Sequence, residues 1–181
     1  MAVEVAGRFN GLDHVGVTVA DEEAAARFFE EHFGAVRLYE AGPFEDPRGS
    51  FMADALGLDN QLVLNLVMLK LGDTANLEFL EFSDPSGSDA SGPPQLSQLG
   101  AEHLGMNIDD LDLARAYFEG VDDVTVFAGP NPIDDSQPIA GSNFVFVKTS
   151  FGLMLELVNY PDHMPYAGKT KARLFHPSRT R

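Results

Sequence analysis

The chain has no cysteine anywhere in its 181 residues. Disulfide scaffolds and thiolate metal sites are therefore excluded, and the composition fits a reducing compartment. Lysine is scarce, with only Lys70, Lys148, Lys169 and Lys171. Acidic residues outnumber basic ones 28 to 12, for a formal charge of −16. A field of that sign repels phosphate backbones and anionic lipid, so neither nucleic acid nor a membrane is expected as a partner, whereas a divalent cation would be attracted. The acid-rich, lysine-poor balance also raises the hypothesis of salt adaptation. No stretch approaches the roughly 18–20 apolar residues of a membrane span. The opening MAVEVAGRFNG lacks the basic and apolar regions of a secretory signal, so a cytoplasmic location is expected. Three catalytic signatures are missing: the GxSxG elbow, the GxxxxGK[ST] phosphate loop and GxGxxG after a strand.

What is present is ample core material, 44% hydrophobic with 14 Phe, and an internal repeat. LDHVGVTVADEEAAARFFE (12–30) aligns with AEHLGMNIDDLDLARAYFE (101–119). His14 falls on His103, Gly16 on Gly105, Asp21 on Asp110 and Glu30 on Glu119. Both copies read as a strand bearing a His, then an acidic N-cap, then an amphipathic helix. In the first copy, Asp21 caps a helix to about Phe33, with Gly34 as its stop. A second echo sets NLEFLEF (76–82) on MLELVNY (154–160), matching Glu78 with Glu156 and Phe82 with Tyr160.

Two further strands are expected in each half, at 35–40 and 61–71, then at 123–128 and 142–149. The fold class is thus α+β, built of two βαβββ modules, each sheet covered on one face by its helix. The first module spans 1–82 with an insertion at 41–60, whose SFMADALGL portion reads as a short helix. Residues 83–100 form a Ser/Gly/Pro-rich linker, 101–160 the second module, and 161–181 a tail that packs on the fold or on a second subunit.

Two His and two Glu occupy matching places. If the halves pair about a pseudo-twofold axis, His14, Glu78, His103 and Glu156 form an N₂O₂ set for one divalent ion such as Zn, Ni, Co, Mn or Fe. A lone strand His is usually a satisfied core residue, and a Glu between apolar neighbours can simply face water. Glu78 and Glu81 lie on opposite strand faces, however, so Glu81 can take the solvent side while Glu78 turns inward toward a cation. Four residues in register favour the metal. His32 reads as a structural cation at a helix end. His163 and His176, in the tail, suggest no partner. Arg48 and Lys148 read as isolated surface charges. Phe44, Phe51, Phe144, Phe146 and Phe151 serve either a core or an apolar pocket, the latter favouring an uncharged or aromatic carbonyl substrate.

Through LDHVGVTVAD, LEFLEF, AEHLGMNIDD and FGLMLELVNYP, across roughly residues 10–160, the chain resembles the vicinal oxygen chelate superfamily of glyoxalase I and methylmalonyl-CoA epimerase. The resemblance implies paired modules forming a cupped mixed sheet with helices on its outer face, and metal ligands from the first and fourth strands of each module. His14, Glu78, His103 and Glu156 fill those positions. It further implies that a chain with all four ligands is a lyase or an isomerase/epimerase. Such an enzyme transfers a proton beside a metal-bound carbonyl, with Glu78 and Glu156 as base and acid. Relatives often form dimers, so a homodimer is open here. The alternatives are an Fe(II) extradiol-type ring-cleaving dioxygenase and a metal-free module that sequesters a hydrophobic drug. The 41–60 insertion and the long tail depart from better-known members and leave the substrate open.

Overall fold

A computed structural model describes residues 12–44, 49–58, 62–73, 75–83 and 95–174. The chain divides into two compact units between Ser86 and Gly87. Both are α+β, and each carries one mixed sheet. Among the described residues no helix is long and apolar enough to cross a membrane.

In the first unit the order is β1 (Val15–Thr18), α1 (Glu22–Phe33), β2 (Val36–Ala41), α2 (Phe51–Leu56), β3 (Val63–Leu71) and β4 (Ala75–Phe82). Helix α1 starts where Asp21 accepts a hydrogen bond from the Ala24 N–H at 2.8 Å. It stops where Gly34 takes the left-handed conformation, φ 64°. Its apolar face buries Ala25, Ala26, Phe28 and Phe29, and the Phe29 ring lies 5.4 Å from Phe79 of β4. Arg37 of β2 ties the sheet edge to the helix through Glu23 (2.7 Å) and Glu30 (3.0 Å). The strands lie in the order β1-β4-β3-β2, with β1 parallel to β4 and the other pairs antiparallel.

The second unit repeats this plan with β5 (His103–Asn107), α3 (Leu111–Phe118), β6 (Thr125–Val126), β7 (Asn131–Pro132), β8 (Asn143–Lys148) and β9 (Met154–Asn159). Asp110 caps α3 by accepting from the Leu113 N–H at 2.9 Å. Leu111 and Phe118 are buried, as are Val145, Val147, Leu155 and Leu157 of the sheet. The order is β5-β9-β8-β6, with β7 also on β8 and β5 parallel to β9.

The strand expected at 123–128 is shorter than its pattern. It pairs through Thr125 and Val126, adds one hydrogen bond from the Phe127 N–H, and is broken before β7 by Gly129-Pro130. The two prolines at 130 and 132 have no N–H to give the ladder. The first unit has the same Ala-Gly-Pro just past β2, at residues 41–43, and the Gly-Pro bond is cis in both. A Cβ on Gly42 would lie 2.2 Å from the Leu64 carbonyl oxygen, so only glycine fits there.

The short helix in the insertion forms, with Met52 buried. The described part of the tail, as far as Leu174, packs back on its own unit. The Tyr166 N–H donates to the Pro138 carbonyl at 2.9 Å, and the Leu174 N–H to the Tyr166 hydroxyl at 2.8 Å. Most of the expected linker, 84–94, lies outside the described residues, as do Arg48 and His176.

Candidate functional site

Alternation along a strand sends successive side chains to opposite faces. In β4, Leu77 and Phe79 are buried on the face that α1 covers, so Asn76, Glu78 and Leu80 belong to the helix-free face. Register places Gly16 of β1, Glu78 of β4, Met68 of β3 and Tyr39 of β2 in one row across that face. In the second unit the row runs Gly105, Glu156 and Phe146 through β5, β9 and β8. The glycines make room. A Cβ at Gly16 would meet the Glu78 carboxylate at 3.4 Å, and Gly105 has open space.

Each helix-free face holds a His–Glu pair. His14, just ahead of β1, brings Nε2 to 3.6 Å from Glu78 Oε2. His103, opening β5, brings Nε2 to 3.2 Å from Glu156 Oε2. Both carboxylates are half-buried, and among the described residues neither forms an ion pair with Lys or Arg. Two ligand atoms about 2.1 Å from one cation lie roughly 3.0–3.4 Å apart for right-angle to tetrahedral geometry. The His103–Glu156 separation falls within that bite and the His14–Glu78 separation lies just above it, so each pair suits a borderline divalent ion by chemistry and closely by spacing.

His14 is further oriented by its other nitrogen. Nδ1 is 2.8 Å from Asp13 Oδ2, which leaves Nε2 for a cation, as carboxylates hydrogen-bonded behind metal-bound imidazoles do. That hydrogen bond, which outweighs desolvation and is aided by the Glu78 charge, raises the His14 pKa above its ordinary value. The His103 ring instead meets the Phe146 ring edge-on at 5.7 Å. Phe144 stacks edgewise on Phe146 at 5.6 Å, so the second unit lines this face with aromatic carbon. Phe44 and Phe51 are exposed.

All four residues predicted from sequence thus lie on helix-free faces, joined two by two. Among the described residues no three His, Asp or Glu side chains gather into one cation-holding group.

One part of the sequence argument needs correcting. Glu81 does not take the solvent side. It sits on the helix-covered face, where its carboxylate accepts from the Glu22 N–H at 3.5 Å. Glu22 is itself buried. Desolvation, then its hydrogen bond to Glu81, pushes its carboxyl above the usual range. Glu78 is the helix-free residue because α1 claims the other face. Lys148 also differs from an isolated surface charge: it is half-buried and shares the face of Phe146. His32 lies in the last turn of α1, its ring 4.6 Å from Phe28, as a structural residue would.

Sequence reasoning missed Asp13, and it missed Tyr160, which follows β9 on the face of Glu156. Burial first, then the Glu156 charge, hold the Tyr160 phenol above its ordinary range. Its repeat partner is Phe82, so the hydroxyl distinguishes the modules.

No family model matches the chain. A "2-epi-5-epi-valiolone epimerase" from Actinomyces sp. is 35% identical over 166 residues, covering 92% of this chain and 88% of the relative. Among solved structures, a glyoxalase family protein from Bacillus cereus superposes with a TM-score of 0.63 at 18% identity, over 88% of this chain and 98% of that one. A glyoxalase/dioxygenase from Nostoc punctiforme gives 0.55 at 20% identity, covering 90% and 99%. A fosfomycin resistance protein from Listeria monocytogenes, in complex with Mn(II) and sulfate, gives 0.52 at 13% identity, covering 86% and 96%.

Proposed function

Since the chain belongs to the vicinal oxygen chelate superfamily, we propose that it is a divalent-metal-dependent epimerase. It would act on 2-epi-5-epi-valiolone or a similar small ketone, inverting a stereocentre by proton transfer beside the carbonyl. The observation that carries this reading is the doubled His–Glu pair, at 3.6 and 3.2 Å, on the helix-free face of each module. The similarity to an epimerase selects among the chemistries that such a ligand set allows. The Mn(II) in the fosfomycin resistance protein makes a divalent ion plausible within the superfamily.

His14 with Glu78, and His103 with Glu156, are the residues that would hold such an ion. When bound, it would polarise the substrate carbonyl and acidify the neighbouring C–H. The chain's own residues do the rest. Asp13 keeps His14 Nε2 directed at the pair. The carboxylates of Glu78 and Glu156 would serve as base and acid. Met68 on the helix-free face of the first unit, and Phe144 and Phe146 on that of the second, would offer apolar contact to a carbon skeleton.

The test is elemental analysis of the purified protein, followed by incubation of 2-epi-5-epi-valiolone in D₂O under NMR. Bound divalent metal with deuterium entering one carbon beside the ketone is expected. Protein that takes up no metal would remove the metal from the reading, and metal-loaded protein that exchanges no C–H would end the epimerase.

A further inference from the structure

We infer that Lys70 and Lys148 are equivalent oxyanion-recognising groups, each beside the His–Glu pair of its own module, for the substrate of the proposed epimerase, on which reading this inference rests. Lys70 of β3 is the register partner of Asn76, two residues before Glu78. Lys148 of β8 is the register partner of Met154, two residues before Glu156. Met154 is in turn partnered with His103, so His103, Met154 and Lys148 form one row across three strands. Each lysine is therefore a diagonal neighbour of a candidate ligand carboxylate on the helix-free face, within reach of a long side chain. The same pattern, VMLK and VFVK, recurs at residues 67–70 and 145–148, the same distance apart as Glu78 and Glu156.

Both lysines stand on interior strands and are half-buried. Among the described residues neither is within an ion pair or a hydrogen bond, in a chain with 28 acidic residues to choose from. Arg37, also half-buried in a sheet, by contrast contacts Glu23, Glu30 and Glu40. An ammonium that forms no ion pair among the described residues and stands beside a His–Glu pair is available to negative oxygen. That oxygen has two sources: an anionic group already on the ligand, or the enolate oxygen that develops when an uncharged ketone loses its α-proton.

The experiment compares the full-length protein with Lys70→Met and Lys148→Met, which keep the apolar stem and remove the charge, and with Lys→Arg at each position. Metal content and melting temperature are measured first and should match wild type, since neither lysine is a ligand. Calorimetry with inorganic phosphate then reads a resident anion, while kcat and KM for 2-epi-5-epi-valiolone read a developing one. For a developing oxyanion, each Met variant loses roughly tenfold to a thousandfold in kcat with KM little changed, and Arg restores part of it. For a resident anion, phosphate affinity falls at least tenfold and KM rises instead. Met variants that equal wild type in both turnover and phosphate binding overturn the inference. Should the wild type show no turnover at all, the epimerase reading falls separately. The phosphate arm then decides alone: affinity lost in the Met variants upholds the lysines, and affinity absent or unchanged rejects them.

Discussion

His14 and His103 hold equivalent places in the repeat but differ in what steadies them. His14 is anchored through Nδ1 by Asp13 at 2.8 Å, whereas His103 rests against the edge of Phe146. Asp13→Asn should weaken divalent-metal affinity about 10- to 100-fold, the usual range for losing an outer-shell carboxylate, as read by competition with a chelating dye at pH 7.5. Because Asp13 raises the His14 pKa, protons compete with metal from a higher pH than for an ordinary imidazole. Wild-type affinity should therefore fall as pH drops from 7.5 to 5.5, and the fall should begin at lower pH in Asp13→Asn. Glu78→Gln tests the proton transfer itself. Retained metal with an unchanged exchange rate would take Glu78 out of the chemistry. At this scale the His and Glu of each pair were legible, because a repeat marks positions that single motifs leave ambiguous. Asp13 was not, since its counterpart is Glu102 and an acid before a His carries no periodic signal. The lysines were hidden for another reason. Their charge suggested solvent, and only strand register shows them beside Glu78 and Glu156.

Element boundaries followed local chemistry where caps were strong. Asp21, Gly34 and Asp110 act as their residue types predict, because each satisfies backbone groups within a few residues of itself. The strand after α3 did not follow its alternating pattern. Its continuation depends on Gly129 lying against Val145, a contact with a distant strand. The matching constraint at Gly42 is sharper. Gly42→Ala, at φ 127° and with 2.2 Å to the Leu64 carbonyl, should destabilise the first unit by about 1–3 kcal/mol or more in urea unfolding. The Glu22–Glu81 contact gives a pH-dependent outcome. A carboxyl whose folded pKa is raised contributes stability below its ordinary pKa and loses it as pH climbs through the raised value. Glu22→Gln keeps a neutral hydrogen-bonding group. Its melting temperature should therefore gain on wild type between pH 4 and pH 8, and a constant difference across that range would refute the raised Glu22 pKa.

For the whole molecule, charge dominates. At a formal −16, self-repulsion opposes compaction and is screened within about 10 Å at 0.1 M salt. Melting temperature should rise between 10 mM and 1 M NaCl. Equal values would dispose of the salt-adaptation hypothesis. A divalent ion that binds only the folded protein should add about 2.7 kcal/mol at a hundred times its Kd, reversed by EDTA.

The α+β class, the doubled order of elements and the four ligand-type residues followed from the sequence alone. Repeats, caps and alternation are local or self-referential, and they need no knowledge of distant contacts. Which face of each sheet is helix-covered was settled only in three dimensions. Phe29 packs on Phe79, so Glu81 goes with the helix and Glu78 to the other side. Likewise, only the register of β3 on β4 and of β8 on β9 sets a lysine beside each carboxylate. Strand pairing is a long-range choice, made by how whole faces bury, and no short segment encodes it.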